Sequence, residues 1–315
     1  MLKTNVLAYI VEGGRLHSSN IHKGGINMPY LVAVDSGHGM ETAGKRTPPL
    51  PENWYGKKKG DSIREKEFNK PTSEFLIEAL TRCGFSTLNI SPGTKDISLK
   101  GRYDAANQAK ADILVSKHYN AHTGTWGAAN GIETIVSQYA KENTKKLAAF
   151  IQEELVRTHL RTDRGVKTDI QQSGINLAIL RNAAMPAVLT ESGFMDNLAE
   201  AKTMLDVNFQ TADAEATCKG ICRYFNVPYI KEIIIPTQTI TKGATPQDIK
   251  WLQEKLNQSL SEKNYVLPLQ VDGVYGNKTR IAVLIYWEVL GWNKEGKDDG
   301  WKAGKKTIDS LSKLK

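Results

Sequence analysis

The sequence predicts an α/β fold, with a mixed sheet flanked by helices and a second, small three-helix domain behind it. Three observations carry this expectation. Between Tyr30 and Phe225 short apolar runs alternate with longer amphipathic stretches, the pattern of strands covered by helices. Glycines and polar residues close several of these runs, as at Ser36-Gly37-His38-Gly39, so each reads as a separate element. After Val227-Pro228 the chain becomes a Thr-rich connector and then a series of helix signals.

The elements follow in order. Tyr30 to Asp35 reads as a buried strand, and the runs near 85–90, 113–116, 132–136 and 187–190 as further strands. Amphipathic stretches near 72–83, 100–109, 143–159 and 199–224 read as helices. Thr72 or Ser73, directly after Pro71, is the expected N-cap of the first. The connector is placed at 229–244. Beyond it, Pro246 to Leu256 has proline in its first turn, as a helix start allows. Further helices are expected at Thr279 to Leu290 and Lys305 to Leu314. The turns Asp272-Gly273 and Asp299-Gly300 point to a weak two-fold repeat.

Composition narrows the classes. The 315 residues and a 40% hydrophobic fraction suffice for one large or two smaller packed domains. No run of about 18 apolar residues occurs, so no membrane span is expected. Residues 1–28 are polar, weakly periodic and without a clear element, and are set aside as an N-terminal extension. Their apolar patch, Val6 to Val11, is short, is followed by Glu12 and lacks a small-residue cleavage site, so no secretory signal is read and synthesis in the cytoplasm is expected. The tract Lys23-Gly24-Gly25 before Met28 is what a translated ribosome-binding site would spell. Met28 is therefore the expected natural start, with a flexible arm as the alternative. Three cysteines, Cys83, Cys218 and Cys222, are too few for a disulfide framework. Cys218 and Cys222, four apart on a helix, read as buried small residues rather than a metal pair. The net charge of +8 favours polyanions, among them phosphate-rich wall polymers. No zinc-finger spacing, RNA-binding aromatic motif or dense basic stripe supports a nucleic-acid partner.

Four residues carry the candidate chemistry. His38 follows the first strand, His118 follows the run 113–116, Glu191 ends the run 187–190, and Glu65 precedes a helix. Open α/β sheets place ligands at the carboxyl ends of strands, where three of these lie. Two imidazoles and a carboxylate suit Zn²⁺ with one position left for water. A second carboxylate can then move protons. This division makes His38, Glu65 and His118 metal ligands and Glu191 the acid/base. Taken singly, each has a plainer reading: a turn histidine, a solvated helix start at Arg64 to Glu67, a capping glutamate. His118 and His122 have helical metal-pair spacing, but Gly124 and Gly127 favour a loop.

At these residues the chain resembles the zinc-dependent N-acetylmuramoyl-L-alanine amidases of autolysins, sporulation lysins and phage endolysins. The resemblance covers about 30–226. Its carriers, in order, are Val34-Asp35-Ser36-Gly37-His38-Gly39, Arg64 to Asn69, Asp96 with Leu99 to Arg102, Ala111 to Ala121, Gly131 to Thr134, Arg164 to Lys167, and Pro186 to Phe194. It implies Zn²⁺ on His38, Glu65 and His118, with Glu191 catalytic. It also implies hydrolysis of the amide joining N-acetylmuramic acid to L-alanine in peptidoglycan; with no secretory signal read, action at the bacterial wall is expected to follow release from the cell. Glu67 rivals Glu65, but the family's Glu-x-x-x-Asn spacing, met by Glu65 and Asn69, favours Glu65. The long basic loop Met40 to Gly60 and the polar neighbours Thr190 and Ser192 depart from the family pattern.

Residues 245–315 resemble a three-helix peptidoglycan-binding module through Ile249 to Gln253 and Val271 to Thr279. Trp251, Trp287, Trp292 and Trp301 are candidates for sugar stacking, most of them expected in the core. The implied organisation is an extension at 1–28, a zinc amidase domain at 29–228, a linker at 229–244 and the binding module at 245–315. Two other readings compete: a zinc peptidase cutting the stem peptide, and a wall-binding scaffold with a dead site.

Overall fold

The computed structural model describes residues 29–231, 235–261, 268–292 and 298–314. Before them it describes two short antiparallel pairs, Ile10–Glu12 with Arg15–His17 and Ile21–His22 with Gly25–Ile26, where the sequence shows no clear element. The reading of Met28 as natural start lies outside the described residues. The chain divides into two units, residues 1–231 and 232–315.

The first unit is built on a six-stranded sheet. In chain order its strands are β1 (Leu31–Ser36), β2 (Ser86–Asn89), β3 (Ile113–Asn120), β4 (Ile132–Val136), β5 (Asp163–Thr168) and β6 (Ala187–Phe194). Across the sheet they lie β2-β1-β3-β6-β4-β5. The first four in that order are parallel, β4 runs antiparallel to β6, and β5 is parallel to β4. This is the mixed sheet that the sequence predicts. Its helices are α1 (Lys66–Arg82), α2 (Leu99–Gln108), α3 (Glu142–His159), α4 (Asp169–Ser173), α5 (Ala178–Arg181), α6 (Leu198–Ala201) and α7 (Val207–Phe225).

Alternate strand residues serve opposite faces. Val32, Val34, Ile113 and Val115 pack with Leu76, Leu80, Ile151 and Ile221 of α1, α3 and α7. Ala33, Leu114 and Leu189 pack on the other face with Ala106 and Ile179 of α2 and α5. Both faces are covered, so β3 and β6 are buried along their whole length, as central parallel strands are.

Four local expectations are corrected. The first helix begins at Lys66 rather than at Thr72 or Ser73, and Pro71 lies inside it. Proline has no N–H for the carbonyl four residues back; that carbonyl, on Glu67, accepts from Gln210 Nε2 at 3.3 Å instead. Strands β3 and β6 run on through Asn120 and Phe194, past the points where apolar residues stop. The edge strand β5 carries no apolar alternation, so the sequence shows it only as a motif. The stretch 199–224 is two helices, because Asn197 and Asp206 each cap a new start.

Strand β3 continues through Lys117 because that charge is neutralised from above. Lys117 Nζ lies 2.7 Å from Asp213 Oδ1 of α7, and both side chains are fully buried. Burial alone would raise the Asp213 carboxyl, but the Lys117 ammonium and His159 hold it below its ordinary range. A depressed carboxylate adds stability above its unfolded pKa of about 4 and loses it as pH falls towards the folded value. The thermal midpoint is therefore expected to fall steeply below about pH 4, and the double variant Lys117→Met/Asp213→Leu to flatten that decline. An unchanged acid profile in the double variant would remove the pair as its cause.

The second unit holds three helices, α8 (Pro246–Ser261), α9 (Asn277–Val289) and α10 (Lys305–Leu311), and a two-stranded pair, β7 (Ile240–Thr241) with β8 (Lys302–Ala303). Ile240, Leu252, Leu256, Val283 and Leu311 form its core. The two Asp-Gly turns share one construction. Asp272 Oδ1 accepts from Val274 N–H and Asp299 Oδ1 from Trp301 N–H, with Gly273 and Gly300 at φ +78° and +75°. A helix starts a few residues after each. Trp251 and Trp287 are core residues, and Trp292 and Trp301 are half-buried against Lys306 and Lys242.

Candidate metal centre

The site forms at the carboxyl ends of β1, β3 and β6. His38 stands two residues beyond β1 with a left-handed φ of 59°, which turns its side chain over the sheet edge. The turn needs glycine before it: a Cβ on Gly37 would lie 2.2 Å from His118 Cε1. Glu65 sits at the N-terminal end of α1, and Asn69 one turn later donates to both Glu65 Oε1 and Gly37 O at 3.1 Å. The expected Glu-x-x-x-Asn spacing thus ties the helix to the histidine loop.

His38, Glu65 and His118 converge. Their donor atoms all lie within 4.8 Å of one another. Glu65 Oε2 is 3.3 Å from His38 Nε2, and Glu65 Oε1 is 2.9 Å from His118 Nδ1. The Tyr119 N–H also donates to Glu65 Oε1 at 3.1 Å. Burial lowers the His38 imidazole to about 4, against the pull of Glu65. Burial would raise Glu65, but the two imidazoles hold it at about 2. A neutral imidazole beside an ionised carboxylate is the protonation state that metal ligation needs. Glu67 stays outside the cluster, paired with Lys57 at 2.6 Å. His122 is exposed in the loop after β3, as its glycines predict.

Glu191 faces the same site from β6. In strand register it stands opposite His118 on one side and Glu133 on the other. Burial and the nearby Glu65 charge push its carboxyl well above its ordinary range, and Oε2 has no hydrogen-bond partner among the described residues. A carboxyl raised in this way holds a proton more readily than an ordinary carboxylate, a property that suits proton transfer.

The sequence quoted Asp35, Arg102 and Ser116 only as motif letters. The structure gives them work. His118 Nε2 lies 3.1 Å from Ser116 Oγ, which donates to Asp35 Oδ2 at 2.6 Å. The hydroxyl proton is committed to Asp35, so the network assigns the ring hydrogen to His118 Nε2 and turns Nδ1 towards Glu65. Arg102 uses every donor it has: on Asp35, Ser36, His38, Asp96 and Ile97. A buried carboxylate at a strand end and an arginine inside an amphipathic helix are the signals that could have marked them.

A cleft of about 350 Å³ opens beside His38 and His118, walled by Ile97, Leu99, Leu177 and Ile179. A larger cavity, about 820 Å³, lies elsewhere, lined by Cys222 and Tyr229. Of the two, the smaller is the one lined by His38 and His118.

Histidines and carboxylates gathered at the carboxyl ends of the strands suit a hydrolase. Residues 32–223 match the family described as N-acetylmuramoyl-L-alanine amidase. An uncharacterized Bacillus subtilis (strain 168) protein, YqiI, is 30% identical over 196 residues, covering 62% of this chain and 84% of that one. The N-acetylmuramoyl-L-alanine amidase CwlM of Bacillus licheniformis is 29% identical over 196 residues, covering 62% of this chain and 69% of its own. The crystal structure of an N-acetylmuramoyl-L-alanine amidase from Clostridium difficile 630 superposes with a TM-score of 0.54 at 30% identity, over 63% of this chain and 97% of that one. The chain belongs to the N-acetylmuramoyl-L-alanine amidase family. Among the described residues no helix is long and apolar enough to cross a membrane.

Proposed function

We propose that His38, Glu65 and His118 hold a zinc ion and that Glu191 transfers the proton as the muramoyl–L-alanine amide of peptidoglycan is hydrolysed. The observation that carries this reading is the convergence of three donor atoms within 4.8 Å beside a buried carboxylate whose Oε2 has no hydrogen-bond partner among the described residues. The donor chemistry fits: two nitrogens and one oxygen with a position to spare. His118 Nδ1 and Glu65 Oε1 face each other at 2.9 Å, so a cation set beside both would take a lone pair from each. Zinc bound there would supply a Lewis acid and would lower the pKa of a water towards about 7.

The chain's own residues do the rest. Glu191 takes the water's proton and returns it to the leaving alanine amine. Ser116 and Asp35 fix the His118 ring, and Arg102 fixes the loop of His38. Ser116→Ala is expected to lower zinc affinity about 10- to 100-fold, as losses of a ligand's hydrogen-bond partner do. Competition against a zinc-sensitive chromophore measures it, and an unchanged affinity would deny Ser116 this role.

For the second unit we propose binding to peptidoglycan, with phosphate-rich wall polymers as a further partner. The half-buried Trp292 and Trp301, each beside a lysine, support it. Mass spectrometry of digested wall tests the reaction. Free lactyl carboxylates with new N-terminal alanine are expected, and none once zinc is chelated. Cuts inside the stem peptide would make the chain a zinc peptidase instead.

A further inference from the structure

A second cluster of metal-binding atoms lies in the core, built from sulfur alone. Cys83 is the C-cap of α1, and Cys218 and Cys222 sit on successive turns of α7. The Sγ atom of Cys218 lies 3.7 Å from that of Cys83 and 4.0 Å from that of Cys222, and all three sulfurs fall within 4.8 Å of one another. All three thiols are free and buried. The sequence pairs only two of them. The third comes from a helix far away in the chain, so its arrival is a product of the fold.

The spacing fits one ion. Three sulfurs bound at about 2.3 Å from a common centre stand roughly 4 Å apart at the corners of a triangle. The two measured edges meet that figure without rearrangement. One of the three sulfurs accepts a backbone hydrogen bond. The Ile230 N–H donates to Cys83 Sγ at 3.2 Å, and Arg82 Nε anchors that residue by donating to its carbonyl at 2.8 Å. A hydrogen bond to sulfur stabilises thiolate over thiol. Among the described residues no imidazole or carboxylate joins the group. A donor set of thiolates without harder atoms selects a soft ion. The cavity of about 820 Å³ lined by Cys222, Val227, Pro228 and Tyr229 supplies an approach.

We infer that Cys83, Cys218 and Cys222 form a three-thiolate site for a soft monovalent ion of the copper(I) class, distinct in ligand chemistry from the His/Glu cluster. Each thiol that ligates gives its proton to solvent. The ion joins the end of α1 to α7, and by binding only the folded chain it raises stability.

The test titrates the reduced, full-length protein without oxygen, using copper(I) held by a chromophoric chelator. One equivalent is expected to leave the chelator, with a near-ultraviolet sulfur-to-copper band and a higher thermal midpoint. Cys218→Ala is expected to abolish the band, and Cys83→Ala and Cys222→Ala each to weaken retention at least tenfold, with circular dichroism reporting their folding. His38→Asn is expected to keep it, which separates this site from the other. X-ray absorption of the copper-loaded wild type reads the ligand shell independently of any variant: a shell of sulfur alone supports the site, and nitrogen in the shell overturns it. So does a wild type that takes no copper, or a folded Cys218→Ala that takes as much.

Discussion

Glu191→Ala is expected to lower peptidoglycan turnover by about 10²- to 10⁴-fold, the usual worth of a positioned proton-transfer group, while zinc content stays at one equivalent. The separation follows from position. Glu191 lies in β6, opposite His118 in register, and is not one of the three groups whose donor atoms converge. Its carboxyl is buried, raised by that burial and by the Glu65 charge, and one of its oxygens meets no partner among the described residues. On the proposed roles, removing it takes away a proton carrier and leaves the three metal donors in place. Glu191→Gln, which keeps the volume, is expected to behave alike. Metal analysis beside a turnover assay reads both halves, and undiminished hydrolysis by either variant would deny Glu191 the role.

His38→Asn is expected to lose both zinc and turnover. Asparagine is chosen because it tolerates the left-handed backbone that His38 adopts at φ 59°, where alanine would add strain to the missing ligand. The turn and its hydrogen bond from Arg102 to the His38 carbonyl at 3.2 Å are kept, so the change isolates the imidazole. With two of three ligands left, metal is expected to wash out on dialysis and hydrolysis to fall to background. A variant that kept a full equivalent of zinc would place the ion elsewhere.

The cluster was legible because its residues sit where chain punctuation is strong. Glycines mark the His38 turn, an apolar run leads into His118, and another leads into Glu191. Their common neighbourhood follows from strand ends in a parallel sheet. Sequence pattern failed where buried polar groups are satisfied by distant partners. Lys117, Asn120 and Glu191 break the apolar runs, so β3 and β6 looked short, yet Lys117 meets Asp213 and Asn120 Nδ2 meets Glu133 Oε1 at 2.8 Å. Pro71 read as a boundary because the help of Gln210, on another helix, is invisible locally. Asp35, Ser116 and Arg102 had no legible role for the same reason: each acts through a residue far along the chain.

Arg102 has one further consequence. Its planar head, itself almost fully buried, spreads five bonds over β1, the loop of His38 and the segment 96–97. Lysine, with three donors on a single nitrogen, cannot span those points. The histidine loop is thus tied to β1 by the protein alone, and capture of an ion by the proposed ligands would carry little entropic penalty from ordering it.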